Sequence, residues 1–217
     1  LRGIKMFDND STEKLTKKDY TEIVVEAGMQ AIPVVGGPLA TLYFGQKQEK
    51  RFKRLETLYT NLSHDLNSGK YSLPPIEAHN PEELKAIIEE LHDKVETEYL
   101  ETKLKYYKQY FKNTLISPVQ GNYDERKMFL DILSQISPLQ IELIVFLTTQ
   151  PSAIKQGDIT KPGVESALIQ GSINQLKNLG LIKGVLNQIS FGGTGNSINE
   201  DISLTSFGQK FHTFCLQ

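Results

Sequence analysis

The fold is decided by the stretch Leu176-Lys177-Asn178-Leu179-Gly180-Leu181-Ile182. Its first half closes an apolar stripe at helical spacing, which predicts a helix over 163–179 with Leu168 and Leu176 among its buried positions. Gly180 ends that helix, because glycine adopts a left-handed conformation at low cost. Leu181 and Ile182 then enter a strand, so the stretch predicts a helix that leads directly into a sheet.

The residues that follow have the pattern of a β-hairpin. Two strand-like runs, 184–191 and 197–204, flank the glycine-rich turn Gly192-Gly193-Thr194-Gly195-Asn196. A last helix is predicted to begin within Leu204-Thr205-Ser206-Phe207-Gly208.

Two further helices are predicted before the deciding stretch. Residues 125–136 form a short amphipathic pattern. Ser137-Pro138-Leu139-Gln140 is a capping box with proline at the first helical position, and it opens a helix that runs to about Thr149. Phe146 is among the residues of this helix expected to face inward. Pro151 marks a break before the third helix.

This ordered set resembles the winged-helix superfamily, and regulators of the multiple-antibiotic-resistance type show the same succession. The resemblance is carried by 176–182, by the hairpin and by Leu204-Thr205-x-x-Gly208. It implies a winged-helix domain over 122–217, in which the helix 163–179 would be the one that usually enters the major groove of DNA.

Charge argues against DNA as the partner of this domain. Residues 122–217 contain seven Lys or Arg and eight Asp or Glu, a net of −1, whereas phosphate neutralisation supplies much of the affinity for DNA. Winged helices also bind proteins, and the charge count favours that role here. A DNA-binding transcription regulator stays an alternative, with Lys161, Ser166, Gln170, Asn174 and Lys177 as the candidate DNA contacts.

An uncharged segment and a basic cluster stand out in the N-terminal part, 1–121. A helix is predicted from Thr16 to just before Pro33, and the 20 residues of Ala27–Gln46 carry no charge, about the length needed to cross a bilayer. Pro33 and Pro38 break this segment, which favours a buried helical hairpin over membrane contact. The basic residues that follow are candidates for contact with an anionic surface: Lys47, Lys50, Arg51, Lys53 and Arg54.

Long helices are predicted for the rest of this part. The pattern is helical from Pro38 to about Asn67, and Asn80-Pro81-Glu82-Glu83 opens another helical region that runs to about Leu115. Its apolar stripe shifts in phase midway, which predicts one long helix or two nearly collinear ones. This region is expected to pack antiparallel to the helix at 44–66, or to form the seam of a homodimer. The predicted fold class is therefore mainly α with a small β-hairpin, an N-terminal long-helix bundle preceding the winged helix.

A second, looser resemblance extends over most of the chain. The small-residue segment Ile32–Pro38, the long charged helices after it, and the tail from Leu204 to Cys215 look like the bacterial abortive-infection alpha family. This resemblance implies a role in limiting phage propagation.

The sequence offers no catalytic or metal site. A single cysteine, Cys215, excludes an intrachain disulfide and makes a four-ligand zinc site unexpected. Glu89-x-x-His92 has the spacing of a di-iron motif but lacks the second copy, and is interpreted as a solvated helix face. His212-x-x-Cys215 supplies too few ligands. We therefore expect no catalytic residues, no metal and no cofactor.

Composition places the chain among ordinary globular proteins, with 39% hydrophobic residues, 23% charged residues and a net charge of −2. The absence of an apolar run in Leu1–Lys18 predicts a cytoplasmic protein, and many Lys, Asn and Ile residues without Trp favour a bacterial source. The leading hypothesis is a non-catalytic bacterial regulatory or phage-defence-associated protein that binds a macromolecule, with a protein as the favoured partner, through its winged-helix and long-helix surfaces. A DNA-binding regulator and a peripheral membrane effector that uses 27–46 are the alternatives.

Overall fold

A computed structural model describes residues 49–68, 70–186 and 200–217. The helix predicted from Thr16, the apolar segment Ala27–Gln46, Lys47 and the turn at 192–196 lie outside the described residues. At 50 and 51 the backbone is described and the side chains are not.

Three helices make up the described N-terminal part: α1 (Glu49–Leu66), α2 (Pro81–Thr97) and α3 (Glu101–Ile116), with a 3₁₀ turn at Ile76–Ala78. Asn80 caps α2 as predicted, its side chain accepting hydrogen bonds from the backbone N–H groups of Glu82 and Glu83 at 3.1 and 3.2 Å.

The prediction of one long helix or two collinear ones is wrong, because α2 and α3 double back on each other. The backbone N–H of Asn80, before α2, donates to the carbonyl of Val119, after α3, at 2.7 Å. Two collinear helices of 17 and 16 residues would place these ends roughly 50 Å apart. The phase shift in the sequence therefore marks a reversal of the chain at 98–100.

The expected antiparallel packing is present between α1 and α2. Arg54, near the start of α1, donates to the carbonyl of Glu96 at the end of α2. Tyr59, further along α1, hydrogen-bonds His92, one turn earlier on α2. The same tyrosine ring packs edge-on against Phe111 of α3 at 5.7 Å, so α1 contacts both arms of the hairpin.

The C-terminal part contains α4 (Tyr123–Gln135), α5 (Pro138–Thr148), β1 (Ile154–Lys155), a 3₁₀ turn (Gln156–Asp158) and α6 (Ser166–Asn178). The strands β2 (Ile182–Leu186) and β3 (Glu200–Leu204) follow, then α7 (Ser206–Phe211) and a π-helical turn (His212–Leu216). The antiparallel sheet has the order β1-β3-β2. The helices α4 to α6, the strands β2 and β3 and the last helix follow in the predicted order, whereas β1 was not predicted. Residues 138–204 are called the winged-helix unit below, after the resemblance.

Local sequence signals account for most of these boundaries. The capping box forms, with Gln140 N donating to Ser137 Oγ at 3.3 Å and Ser137 N donating to Gln140 Oε1 at 2.8 Å. Gly180 ends α6 with a φ of 73°, and Leu181 N donates back to Leu176 O at 3.0 Å. The third helix begins at Ser166 rather than at Gly163, which has a φ of 76° and belongs to a turn.

Thr205 and Gly208 connect the hairpin to α7. Thr205 Oγ1 accepts a hydrogen bond from Gly208 N at 2.9 Å and donates to Gly180 O at 2.7 Å. A Cβ at Gly208 would lie 2.1 Å from Leu181 O, so only glycine fits there. The motif that suggested a winged helix therefore joins the end of α6 to the start of α7.

The described residues share one hydrophobic core that runs from Leu55 on α1 to Cys215. The C-terminal turn packs on α3, where Asn113 Nδ2 donates to Phe214 O at 2.8 Å and Tyr110 meets the Phe214 ring at 5.5 Å. The division at 121/122 stays a prediction, and a common core crosses it. Within the described ranges, no helix combines the length and apolar content needed to cross a membrane.

The apolar stripe of α2 does not serve as a dimer seam. Leu84, Ile88, Leu91 and Val95 are all at most 2% exposed within a single chain. They pack in the core of the chain itself, so a homodimer would need another surface.

Candidate functional site

Two of the five predicted DNA-contacting residues, Gln170 and Lys177, make contacts within the chain. Lys177 Nζ donates to Gln156 Oε1 at 2.6 Å and forms an ion pair with Glu200. Gln170 Nε2 donates to the Gln156 carbonyl at 3.2 Å. These contacts join α6 to the 3₁₀ turn and to β3, so Lys177 and Gln170 stabilise the winged-helix unit and do not project into a groove of DNA.

The remaining three predicted DNA contacts do not form a basic face. Lys161 is ion-paired with Glu142 on α5, while Ser166 and Asn174 are exposed. The exposed residues of α6 carry no charge: Ser166, Ala167, Leu168, Gly171, Asn174, Gln175 and Asn178. The exposed face of α6 therefore offers no cation to a phosphate group.

Apolar side chains are exposed where the sequence pattern placed them inside. Leu168 is 58% exposed, and Phe146 and Val145 are 42% and 40% exposed. Phe146 also lines a cavity of about 220 Å³ between α5 and the segment 158–161, whose wall includes Ile169 of α6, the residue after Leu168. The pattern did not predict this exposure, because α5 is apolar on almost every face, as is typical of a helix buried on all sides. We call Val145, Phe146, Leu168 and this cavity the α5–α6 surface.

A second concave surface lies between α1 and α3. It has a volume of about 550 Å³, and we call it the α1–α3 groove. Lys53 and Arg54, two residues of the predicted basic cluster, line its α1 side. Lys105 and Lys108 line the α3 side. They were not predicted as site residues, although their spacing of three residues places them on one helix face. The groove is lined by Lys53, Arg54, Thr57, Leu58, Asn61, Tyr99, Glu101, Leu104, Lys105 and Lys108.

The cations of the groove differ in their surroundings. Lys108 is ion-paired with Asp65 at 2.7 Å, and although burial raises the pKa of that carboxyl, the hydrogen bond and charge of Lys108 bring it below its ordinary value. Lys105 lies 4.6 Å from the centre of the Tyr106 ring. Lys53 is exposed. Of the described side chains, none forms an ion pair with Lys53 or Lys105.

The candidate metal motifs lie in the interior. His92 is 5% exposed and hydrogen-bonds Tyr59, so the interpretation of Glu89-x-x-His92 as a solvated face is wrong. Cys215 is fully buried, and burial raises the pKa of its thiol well above the ordinary value. Among the described residues, no group of three His, Cys, Asp or Glu side chains is arranged to hold a metal ion.

Arg126 is the most unusual of the buried polar residues. It is 5% exposed, its Nη2 donates to Ser117 Oγ at 2.9 Å, and its guanidinium lies 3.9 Å from the centre of the Phe214 ring. Burial lowers its pKa from the ordinary value. The stacking on Phe214 replaces part of the lost hydration by a cation–π contact, which gives Arg126 a role in joining α4 to the C-terminal turn.

Comparison with known proteins adds no assignment, since no family model, no curated protein and no solved structure matches the chain.

Proposed function

We propose that this chain is a non-catalytic regulatory or defence-associated protein that acts by binding a partner protein through the α5–α6 surface. The observation that carries the proposal is the exposure of Phe146 in the wall of a cavity. Leu168 is exposed on α6 next in sequence to Ile169, which belongs to the same wall. Exposed apolar side chains next to a pocket are typical of protein interfaces, where one or two buried anchors supply most of the affinity.

The charges around this surface suit a protein partner. Glu142 and Lys161 line the same cavity and are paired with each other. They form a polar rim around an apolar centre, which is the usual anatomy of an interface. The partner that fits this surface is a protein that inserts one apolar side chain into the cavity beside Phe146.

The resemblance to the abortive-infection alpha family supports a defence role, and a bacterial origin follows from that resemblance and from composition. The defence role and the bacterial origin both rest on the sequence alone. The α5–α6 surface is compatible with either a regulatory or a defence role, because both require binding of another macromolecule.

Capture experiments test the proposed surface. The wild-type chain, Leu168→Glu, and Lys183→Glu as a control on the exposed side of β2 would be used to recover partners from the same lysate. We expect a protein that is retained by wild type and by Lys183→Glu and is lost with Leu168→Glu. A partner retained equally by all three chains would overturn the proposal.

Binding to duplex DNA is the competing function, and it makes a different prediction. A DNA-binding regulator would bind duplex DNA with an affinity that falls steeply with salt and is lost on Lys161→Glu plus Lys177→Glu. We expect no such binding, because both lysines are held in ion pairs. Salt-dependent binding abolished by this double substitution would replace our proposal with the regulator.

A further inference from the structure

The α1–α3 groove has features that the α5–α6 surface lacks. Four cations, Lys53, Arg54, Lys105 and Lys108, line it. Asp65 is paired with Lys108, and Glu101 is the carboxylate of the lining, so the positive charges still outnumber the negative ones. The chain as a whole has a net charge of −2, so this is a local excess of positive charge in a molecule that is otherwise slightly acidic. A concave surface lined by one sign of charge concentrates ligands of the opposite sign.

The cations lie on both sides of an elongated groove. Lys53 and Asn61, at the two ends of the α1 side, are separated by a rise of about 12 Å along the helix. Lys105 and Lys108 follow the opposite side of the groove, one turn apart on α3. A single phosphate ion would contact only some of these side chains, whereas an extended polyanion can contact all of them.

Aromatic and apolar groups lie beside the cations. Tyr99, in the turn between α2 and α3, is 82% exposed and lines the groove. Leu58 and Leu104 supply the apolar part of the lining. Exposed tyrosine rings next to a basic groove are the combination by which proteins hold single-stranded nucleic acid, since bases stack on the rings and phosphates meet the cations.

We propose that the α1–α3 groove binds a short segment of single-stranded nucleic acid, with Lys53 and Lys105 facing the phosphates and Tyr99 stacking on a base. A single strand fits better than a duplex, because the bases of a duplex are already stacked on each other and cannot stack on Tyr99. A duplex is also too wide and too rigid to enter a groove between two helices. This inference is independent of the partner-protein proposal, since the two surfaces share no residue.

Fluorescence anisotropy of a labelled oligothymidine of about twelve nucleotides measures the binding directly. We expect binding by the wild-type chain that weakens about 7-fold between about 50 and 200 mM salt, the dependence for roughly two phosphate contacts on a single strand. Failure to bind the oligonucleotide at low salt would overturn the inference.

Charge-matched variants locate the site. Lys53→Glu plus Lys105→Glu should weaken binding at least about 10-fold. Lys70→Glu plus Lys183→Glu changes the net charge equally at exposed positions outside the groove and should weaken it much less. Equal effects of the two pairs would show that binding follows overall charge and would contradict a site in the groove.

Variants of Tyr99 distinguish the binding of nucleic acid from the binding of other polyanions. Tyr99→Ala should weaken oligonucleotide binding about 5-fold or more through lost stacking, while Tyr99→Phe keeps the ring and should leave it unchanged. Because Tyr99 is exposed, neither change should affect folding. Sedimentation with phosphatidylserine vesicles tests an anionic lipid as the occupant. If Lys53→Glu plus Lys105→Glu reduces this sedimentation while Tyr99→Ala leaves oligonucleotide binding unchanged, the occupant is an anionic lipid and the proposal is wrong.

Discussion

His79 shows how one buried side chain makes the fold sensitive to pH. It is 4% exposed, and its Nδ1 accepts a hydrogen bond from the backbone N–H of Val119 at 3.2 Å. Burial lowers its pKa from the ordinary value of 6.5, and the nearby charge of Arg126 lowers it further, against an opposing contribution from the Leu115 backbone. The folded chain therefore keeps this ring neutral at a pH where the unfolded chain has begun to protonate it.

We expect the free energy of unfolding to fall as the pH falls through 6.5 towards the lowered pKa of folded His79. Well above pH 6.5 His79 is neutral in both the folded and the unfolded chain, so it does not reduce the free energy of unfolding. Below that pH, the one proton that the unfolded chain binds lowers the free energy of unfolding by at most about 1.4 kcal/mol per pH unit. His212, whose pKa is also lowered by burial, adds to the loss in the same window.

Chemical denaturation at several pH values checks this prediction. His79→Asn keeps an acceptor for the Val119 N–H but does not titrate, so its stability should depend less on pH than that of the wild type. His64→Asn is the control, since the His64 side chain is 88% exposed. An unchanged pH profile in His79→Asn would contradict the assignment.

At the scale of elements, the reversal between α2 and α3 depends on side chains that sequence rules do not weigh. No glycine or proline marks it. Glu98 Oε1 accepts a hydrogen bond from Leu100 N at 2.9 Å, and its other oxygen is paired with Lys103 at 3.1 Å. Both side chains of the pair are at most 8% exposed. The sequence predicted the apolar stripes and the shift between them, but the reversal itself depends on this ion pair.

Removing one member of the pair should be costly. Glu98→Gln leaves Lys103 buried without a carboxylate, and breaking a buried pair in this way costs about 3–5 kcal/mol. The double variant Glu98→Gln plus Lys103→Met removes the buried charge and should recover most of that loss. Urea unfolding of the three chains measures the difference, and a double variant less stable than the single one would count against this account.

The winged-helix unit was more predictable than the helical hairpin, because its signals are local. Ser137, Gly180 and Thr205 each determine a boundary through their own backbone neighbourhood, and the structure confirms all three. Phe146 and Leu168 could not be assigned in this way, because their exposure depends on which neighbouring elements are present. The α1–α3 groove could not be predicted either, because its two sides are distant in sequence and only the packing of the helices brings them together.

For the whole molecule, the shared core predicts a single unfolding transition. Residues from Leu55 to Cys215 belong to one buried cluster, and α3 packs on the C-terminal turn. All nine tyrosines lie at or before position 123, so near-UV circular dichroism of tyrosine reports on the N-terminal part. Far-UV circular dichroism reports on all helices.

We expect the two signals to change together with denaturant, as they do in a two-state transition. Two separate domains would instead show a far-UV curve with a phase that the tyrosine signal lacks. That outcome would favour an independent winged-helix domain at 122–217 over the shared core.

The hydrogen bond between Asn80 and Val119 has a consequence for how this protein can change over evolutionary time. The hairpin of α2 and α3 leaves the rest of the chain and returns to it at the same place. Matched insertions or deletions of whole helical turns in both arms would move its tip, with Tyr99, without displacing the points of attachment. The hairpin is thus a module of adjustable length, and related chains can vary the reach of its tip while keeping the same base.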